Sequence, residues 1–424
     1  MAACSKVHYW IYVNLKKGVL NMIKLISKKY TKYMNKAKLK NLFMVADLKL
    51  TFNNKNATVE RYPAIGGVND NETHTDYTFY LPQGFNPKKL IEKEYVFTQT
   101  FGDYYDLKGD GKMYRLRLYK NVDTSPKVYD QTEIETAIKG HGLPIVAGYN
   151  LFGNLICYDM VPNPHLLIAG ESGSGKSMML RTILSTLLLY KRDEIDFYLA
   201  DMKRTEFHIF RNRESVRAVI TDKKRLALYL AHVHAQLEIR GKMLDARGLD
   251  HIDHYNKIPG VAKQKYIVFA IDEVALLRKD KEIMSMVEDI STQGRAMGIF
   301  LILSMQRPDS KILDGQLKSN LTVRYAFRHA DVINSNITLG SGTGVDASSI
   351  NKADKGKFYM RHEEIKLLQA PKLEIEDAKE LLDPLSVPPV YDPIEELLDT
   401  MVTDFNSDQT EDESEEEESG EEEW

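Results

Sequence analysis

The sequence has little cysteine: Cys4 and Cys157 are the only two among 424 residues. That excludes a disulfide framework and fits a reducing compartment, hence a cytoplasmic location. No apolar run reaches the ~18 residues of a membrane-spanning helix. The stretch Val7 to Val13, interrupted by His8, is too short for a span and makes a poor signal peptide. Internal repeats are also absent. A hydrophobic share of 43% with 28% charged residues suffices for a buried core, so collagen-like and wholly disordered chains are excluded. At ~150 residues per domain, the length predicts two or three domains.

Each end of the chain is short of one sign of charge. Residues 404–424 carry 12 acidic side chains and no basic one, whereas the first 56 residues hold 12 lysines and a single acid, Asp47. Without its acidic end the chain has 57 basic against 49 acidic residues. A mildly basic body suits a polyanionic partner.

Four regions follow. Residues 1–60 are a basic N-terminal extension, in which Val19, Met22, Ile23, Ile26, Tyr30, Tyr33 and Met34 recur at helical spacing between Lys17 and Phe43. Such a helix can lie on an anionic membrane surface, on nucleic acid or on a partner, or pack on its own protein with lysines facing water. Met22 is an alternative start, which would make 1–21 over-annotation. Residues 61–125 read as a small α+β domain, with a strand at Tyr77–Leu81, a helix at Pro87–Glu94, and a hairpin turning at Asp110-Gly111 before Met113–Tyr119. Residues 126–393 alternate strands (Leu166–Ala169, Ile195–Ala200, Tyr266–Ile271, Ile299–Leu303, Leu321–Phe327) with helices (Lys176–Tyr190, Lys223–Ala246). That alternation predicts an α/β domain with a largely parallel sheet. Leu385 to Pro393 reads as a proline-rich exit linker, and 394–424 as an acidic disordered tail, solubilising or mimicking nucleic acid.

Gly170-Glu171-Ser172-Gly173-Ser174-Gly175-Lys176-Ser177 is a complete Walker A match. It lies between an apolar strand and a helix, the context a phosphate loop requires. Its glycines let backbone N–H groups turn onto phosphate oxygens, with the helix N-terminus behind them. Lys176 then reaches the β- and γ-phosphates, and Ser177 ligates Mg²⁺. Tyr266–Ile271 delivers Asp272 and Glu273 at a strand end, a Walker B arrangement. Asp272 holds the Mg²⁺ shell and Glu273 serves as general base toward water. Gln306, after the strand Ile299–Leu303, is placed to sense the γ-phosphate. His251 and His254, with Asp250 and Asp253, lack a further ligand at metal-site spacing. Cys157 reads as a small core residue.

Beyond these motifs the chain resembles the FtsK/SpoIIIE family of DNA-translocating ATPases. The resemblance runs through Pro164–Gly170 into Walker A, Asp201-Met202-Lys203, Glu238–Met243, Gly248, Tyr255-Asn256, Gly294–Ile299, Gln306-Arg307-Pro308, Leu317–Asn320, Arg324–Arg328 and Gly356–Phe358. It covers residues 146–370, and Tyr77–Tyr119 more weakly resembles the small domain before the motor. It implies a RecA-like P-loop motor, using ATP and Mg²⁺, assembled as a homo-oligomeric ring, a hexamer, around double-stranded DNA. Arg295 is the implied arginine finger supplied in trans, with Arg307 as the alternative; in GTPases such a finger is worth ~10³–10⁵ in rate. Gln306 is the implied nucleotide sensor, and Lys318 and Arg324 are candidate pore-loop cations.

The family's chromosome-segregating members carry N-terminal membrane spans and a C-terminal winged-helix domain, and neither is visible here. Asp201-Met202-Lys203 lacks the family's proline. Short motors of this kind are similar to those of conjugative elements, plasmids and phages, where a relaxase or transfer channel is a partner. A protein-secretion ATPase and a nucleotide-binding coupling adaptor are the rival readings. Peripheral membrane contact through the basic N-terminus is a further expectation.

Overall fold

The computed structural model describes residues 29–389, except 32, 55–56, 103, 124 and 314, with backbone alone at 53, 54 and 57. The helical positions from Val19 to Ile26, the choice of start, and the acidic tail lie outside the described residues. The chain divides into two compact units, at Asp123/Thr124.

The first unit is built on a four-stranded antiparallel sheet of β3 (Ala64–Asp70), β4 (His74–Tyr80), β5 (Tyr105–Asp110) and β6 (Met113–Tyr119), in the order β3-β4-β6-β5. Tyr77 and Phe79 of β4 and Tyr114 and Leu116 of β6 alternate onto one face, as a half-buried sheet requires. Leu39, Leu42 and Phe43 of the helix over residues 33–45 fill the same core, beside Leu90, Val96 and Phe97. The break expected at residue 60 therefore falls inside this unit. The helix does pack on its own protein, but through Leu39, Leu42 and Phe43. Tyr30, Tyr33 and Met34 are exposed. A hairpin of β1 (Leu50–Asn54) and β2 (Ala57–Arg61) completes the described strands here.

The second unit holds a ten-stranded sheet. Its strands are β7 (Pro144–Tyr149), β8 (Leu155–Asp159), β9 (Leu166–Ala169), β10 (Ile195–Ala200), β11 (Val216–Ile220), β12 (Tyr266–Ile271), β13 (Ile299–Met305), β14 (Val323–Phe327), β15 (Lys357–Arg361) and β16 (Ile365–Gln369). The order is β11-β10-β12-β13-β9-β14-β15-β16-β7-β8. Pairings from β11 through β14 are parallel, and those from β14 onward to β8 are antiparallel. The alternation of strands and helices foretold the parallel half. It carried no sign of the antiparallel extension.

Every residue of β9, β13 and β14 is buried, because helices cover both faces of the sheet. On one face Leu166 and Ile168 meet Ile183, Leu184 and Leu187 of the helix Lys176–Lys191. On the other, Leu167 and Ala169 share a core with Leu230 and Val233 of the helix Lys223–Asp245, and with Val287 and Ile290 of the helix Lys281–Met297. The two-residue period of β9 thus assigns its side chains to two separate cores.

The expected exit linker is pinned at its start. The Val387 N–H donates to the Asn212 carbonyl, and Ser386 bridges to Arg213.

Candidate active site

The parallel strands β9, β10, β12 and β13 bring the chemistry-bearing residues to one edge, their C-terminal ends, where α/β sheets bind ligands. The phosphate loop follows β9. Its Gly170 and Gly175 have φ of +151° and +114°, which side-chain-bearing residues seldom adopt. A Cβ on Gly175 would stand 2.8 Å from the Gly356 Cα, and one on Gly170 would stand 2.6 Å from the Phe327 Cβ. Close backbone approach, as well as φ, therefore demands glycine at both places. The Gly356 N–H donates to the Ser174 carbonyl at 2.8 Å, and the Glu171 N–H donates to the Arg328 carbonyl at 2.8 Å. Arg328 also ion-pairs with the Glu171 carboxylate. Ser172 and Gly173 form the exposed crest of the loop.

Lys176 opens the following helix and is buried. Its Nζ donates to the carbonyls of Gly170 at 2.5 Å and Glu171 at 2.8 Å. Desolvation lowers its pKa to about 8, partly opposed by Glu273 and Asp272. Ser177 stands beside it in the helix's first turn, half-buried.

Asp272 and Glu273 follow β12 and are both buried. The Asp272 N–H donates to the Ala200 carbonyl of neighbouring β10 at 3.0 Å. Burial raises the Asp272 pKa to about 6, and Glu206, Asp201 and Glu273 add to the shift while Lys203 opposes it. A buried carboxylate amid others suits a divalent cation, which would relieve that repulsion. Asp272 and Ser177 are the oxygen donors that would hold Mg²⁺, whose role would be to neutralise phosphate charge.

Glu273 is the most engaged group. Lys203 Nζ donates to its Oε2 at 2.7 Å, and the Gln306 backbone N–H reaches Oε1 at 3.1 Å and Oε2 at 3.2 Å. Gln306 thus touches Glu273 through its backbone, with its side chain exposed. The contact of Lys203 with Glu273, 70 residues apart, was not foreseen. The Asp201-Met202-Lys203 resemblance marked the stretch without giving it a role. Arg328 and Gly356, which brace the phosphate loop, were likewise noted only as continuing motifs.

Several candidates lie elsewhere. Arg295 is exposed in the last turn of Lys281–Met297, before β13 begins, whereas Gln306 and exposed Arg307 follow the strand's other end. Seven strand residues separate the two ends by about 23 Å at ~3.3 Å each. Arg324 is buried and donates to the carbonyls of Lys318, Leu321 and Thr338. It is a structural cation, which corrects its candidacy for a pore loop. His251 caps a short helix by accepting the Asp253 N–H, and His254 pairs with Asp250. Cys157 is half-buried, with its thiol pushed up to about 12 by desolvation.

A mostly parallel sheet, a glycine-built phosphate loop and paired carboxylates on a nearby strand define a P-loop NTPase. Residues 129–310 match the FtsK/SpoIIIE family, so this part of the chain is similar to that family. The DNA translocase FtsK of Chlorobaculum tepidum is 31% identical over 210 residues, covering 46% of this chain and 26% of that protein. That of Haemophilus influenzae is 31% identical over 230 residues, covering 47% of this chain and 44% of that one. The chain therefore spans less than half the length of either relative. Among solved structures, the pCW3 conjugation coupling protein TcpA, in a monomer form with ATPγS, superposes with a TM-score of 0.56 at 23% identity, over 76% of this chain and 94% of that one. The cytoplasmic domain of the Thermomonospora curvata type VII secretion ATPase EccC gives 0.52 at 22% identity, over 59% and 32%. Among the described residues, no helix is long and apolar enough to cross a membrane.

Proposed function

We propose that the chain hydrolyses ATP with Mg²⁺ to translocate double-stranded DNA. The observation that carries this reading is the joining of Lys176, Asp272 and Glu273 at one sheet edge, within a domain 31% identical to DNA translocases. Lys176 holds the β- and γ-phosphates and Glu273 orients and polarises the attacking water. Gln306, hydrogen-bonded to Glu273 through its backbone, links nucleotide state to the base. A pump must accept any sequence, so DNA is held through its phosphates and binding weakens steeply with salt.

The motor works as a homo-oligomeric ring, a hexamer, with ATP between subunits. Arg295 supplies the finger in trans: its place at the sheet end opposite its own phosphate loop suits action on a neighbouring copy. Arg307, beside Gln306, is the alternative. The cargo is the DNA of a conjugative element, plasmid or phage, with a relaxase or transfer channel as partner. The fold likeness to a conjugation coupling protein, over nearly all of that chain, supports this setting.

A specific observation favours peripheral membrane contact of a cytoplasmic protein. At 100° per residue, Tyr30, Tyr33, Met34, Met44 and Val45 form a second apolar stripe, opposite the buried Leu39, Leu42 and Phe43, and all five are exposed. Lys29, Lys38 and Lys40 are exposed and flank this stripe, the pattern of a helix lying on an anionic bilayer.

The deciding experiment is steady-state ATPase rate with and without long linear duplex DNA at two salt concentrations, with Lys176→Ala as control. Stimulation that grows with duplex length supports translocation. A rate indifferent to DNA moves the reading to a secretion ATPase or a coupling adaptor.

A further inference from the structure

Glu273 is a buried carboxylate in a crowded acidic site. Asp201, Glu206 and Glu273 each act on the charge of Asp272, and Lys203 acts on both Asp272 and Lys176. The position of the Glu273 carboxylate is thus an electrostatic problem as much as a steric one. Its two described donors are the Gln306 backbone N–H and the Lys203 ammonium, which at 2.7 Å is the shorter and the charged one.

Lys203 is itself held in place. It sits in the turn after β10, and the buried Asp201 carboxylate organises that turn. Asp201 accepts N–H bonds from Thr205 at 3.2 Å and from Glu206 and Phe207 at 2.9 Å each. Its own N–H donates to the Ile220 carbonyl of β11 at 2.8 Å. Arg204 takes a φ of +58°, which tightens the bend. The parallel β10–β12 pairing, with Ala200 beside Ile271, sets this turn against the end of β12. A flexible lysine thus starts from a fixed base and spans to Glu273 with its ammonium, while staying partly exposed to the cleft.

We propose that Lys203 is the positioning residue of the general base. It holds Glu273 against the Gln306 backbone, so that the carboxylate faces the water at the nucleotide rather than turning away from the surrounding carboxylates. This rests on the ATPase reading above. Removing the ammonium leaves Glu273 with one neutral donor among like charges, and misplacement of a reacting group by about 1 Å costs on the order of 100-fold.

The test is ATP turnover by the full chain with Mg²⁺, alongside binding of the fluorescent analogue mant-ATP. Lys203→Met is expected to lower kcat about 10- to 100-fold, with KM for ATP and mant-ATP affinity unchanged. Lys203→Arg, which restores a charged donor, is expected to recover most of the rate. The double variant Glu273→Gln/Lys203→Met is expected to be no slower than Glu273→Gln alone, because the lysine acts through that carboxylate. An unchanged kcat in Lys203→Met, weakened mant-ATP binding, or a double variant slower than Glu273→Gln would overturn the assignment, the last two by making Lys203 a direct phosphate contact. Should Lys203→Met fail to fold, Lys203→Gln carries the same comparison. A wild-type chain without turnover defeats the ATPase reading itself, whereas normal wild-type turnover with an indifferent Lys203→Met defeats this proposal alone.

Discussion

The two halves of the large sheet differ in burial and in use: β9, β13 and β14 are wholly buried, whereas β8, β15 and β16 are mostly half-buried. From β11 to β14 the strands run parallel, and their C-terminal ends carry Lys203, Asp272, Glu273, Gln306 and the phosphate loop. From β15 to β8 they run antiparallel and carry none of the candidate catalytic residues, yet Gly356, just before β15, presses on Gly175 and bonds to Ser174. Parallel strands all end on one edge, so each can deliver a group to a common point. Antiparallel strands alternate their ends and serve better as a brace.

The comparison breaks most readily at Glu273, the proposed base. Glu273→Gln is expected to cut turnover at least ~100-fold while leaving mant-ATP binding intact, since amide and carboxylate are nearly isosteric and general-base catalysis contributes ~10²–10⁴. Turnover near the wild-type rate would remove Glu273 from that role. The brace is expected to fail differently. Phe358 of β15 is fully buried and stacks on Phe327 with ring centroids 4.6 Å apart. Phe358→Ala should cost about 3–5 kcal/mol in denaturant unfolding, with KM for ATP unchanged in the folded fraction.

Acid should sharpen the contrast. His165, fully buried ahead of β9, accepts the Leu301 N–H at 3.0 Å, and burial lowers its pKa from 6.5 to about 4. His329, buried just past β14, is lowered to about 4 as well, with Lys176 contributing. Below pH 6.5 the unfolded chain takes up protons that these folded sites refuse. Stability present above that pH is therefore lost as pH falls toward 4. By pH 5 His165 alone should account for about 2 kcal/mol. His165→Asn, which keeps an acceptor and tolerates the φ of +63°, should flatten the fall in unfolding free energy between pH 7 and 5.

The smallest effect is expected where the halves touch. Gly356→Ala places a Cβ 2.7 Å from the Gln369 Nε2 at a φ of +85°. It should cost about 1–3 kcal/mol and raise KM for ATP, because the Gly356 N–H holds the phosphate loop. An unchanged KM would show that the brace supports only the fold.

How much of this was legible in the sequence depended on the span of chain each feature needs. The phosphate loop is eight consecutive residues, and β9, β10 and β12 are apolar runs ending where the structure ends them. β15 and β16 are five-residue strands with partly exposed faces, and their pattern separates them poorly from loops. The helical spacing of Tyr30, Tyr33 and Met34 left open whether that face packs on its own protein, and the structure leaves it exposed. Leu39, Leu42 and Phe43 won because they meet Tyr77, Phe79 and Leu116. Arg324, a surface cation by sequence, proved buried because three carbonyls converge on it.

Local order in the chain determined the class of chemistry. A strand, a glycine-rich turn and a helix with Lys176 at its start form a phosphate cradle from backbone geometry alone, and an apolar strand ending in Asp272-Glu273 supplies carboxylates wherever it is placed. Tertiary structure decided which groups meet. Lys203 reaches Glu273 only because β10 pairs with β12, Gln306 reaches it only because β13 lies on the other side of β12, and Gly175 is compelled to be glycine by Gly356 from the far half of the sheet. Such contacts join residues 33 to 181 positions apart, and no local pattern encodes the closing of loops that long.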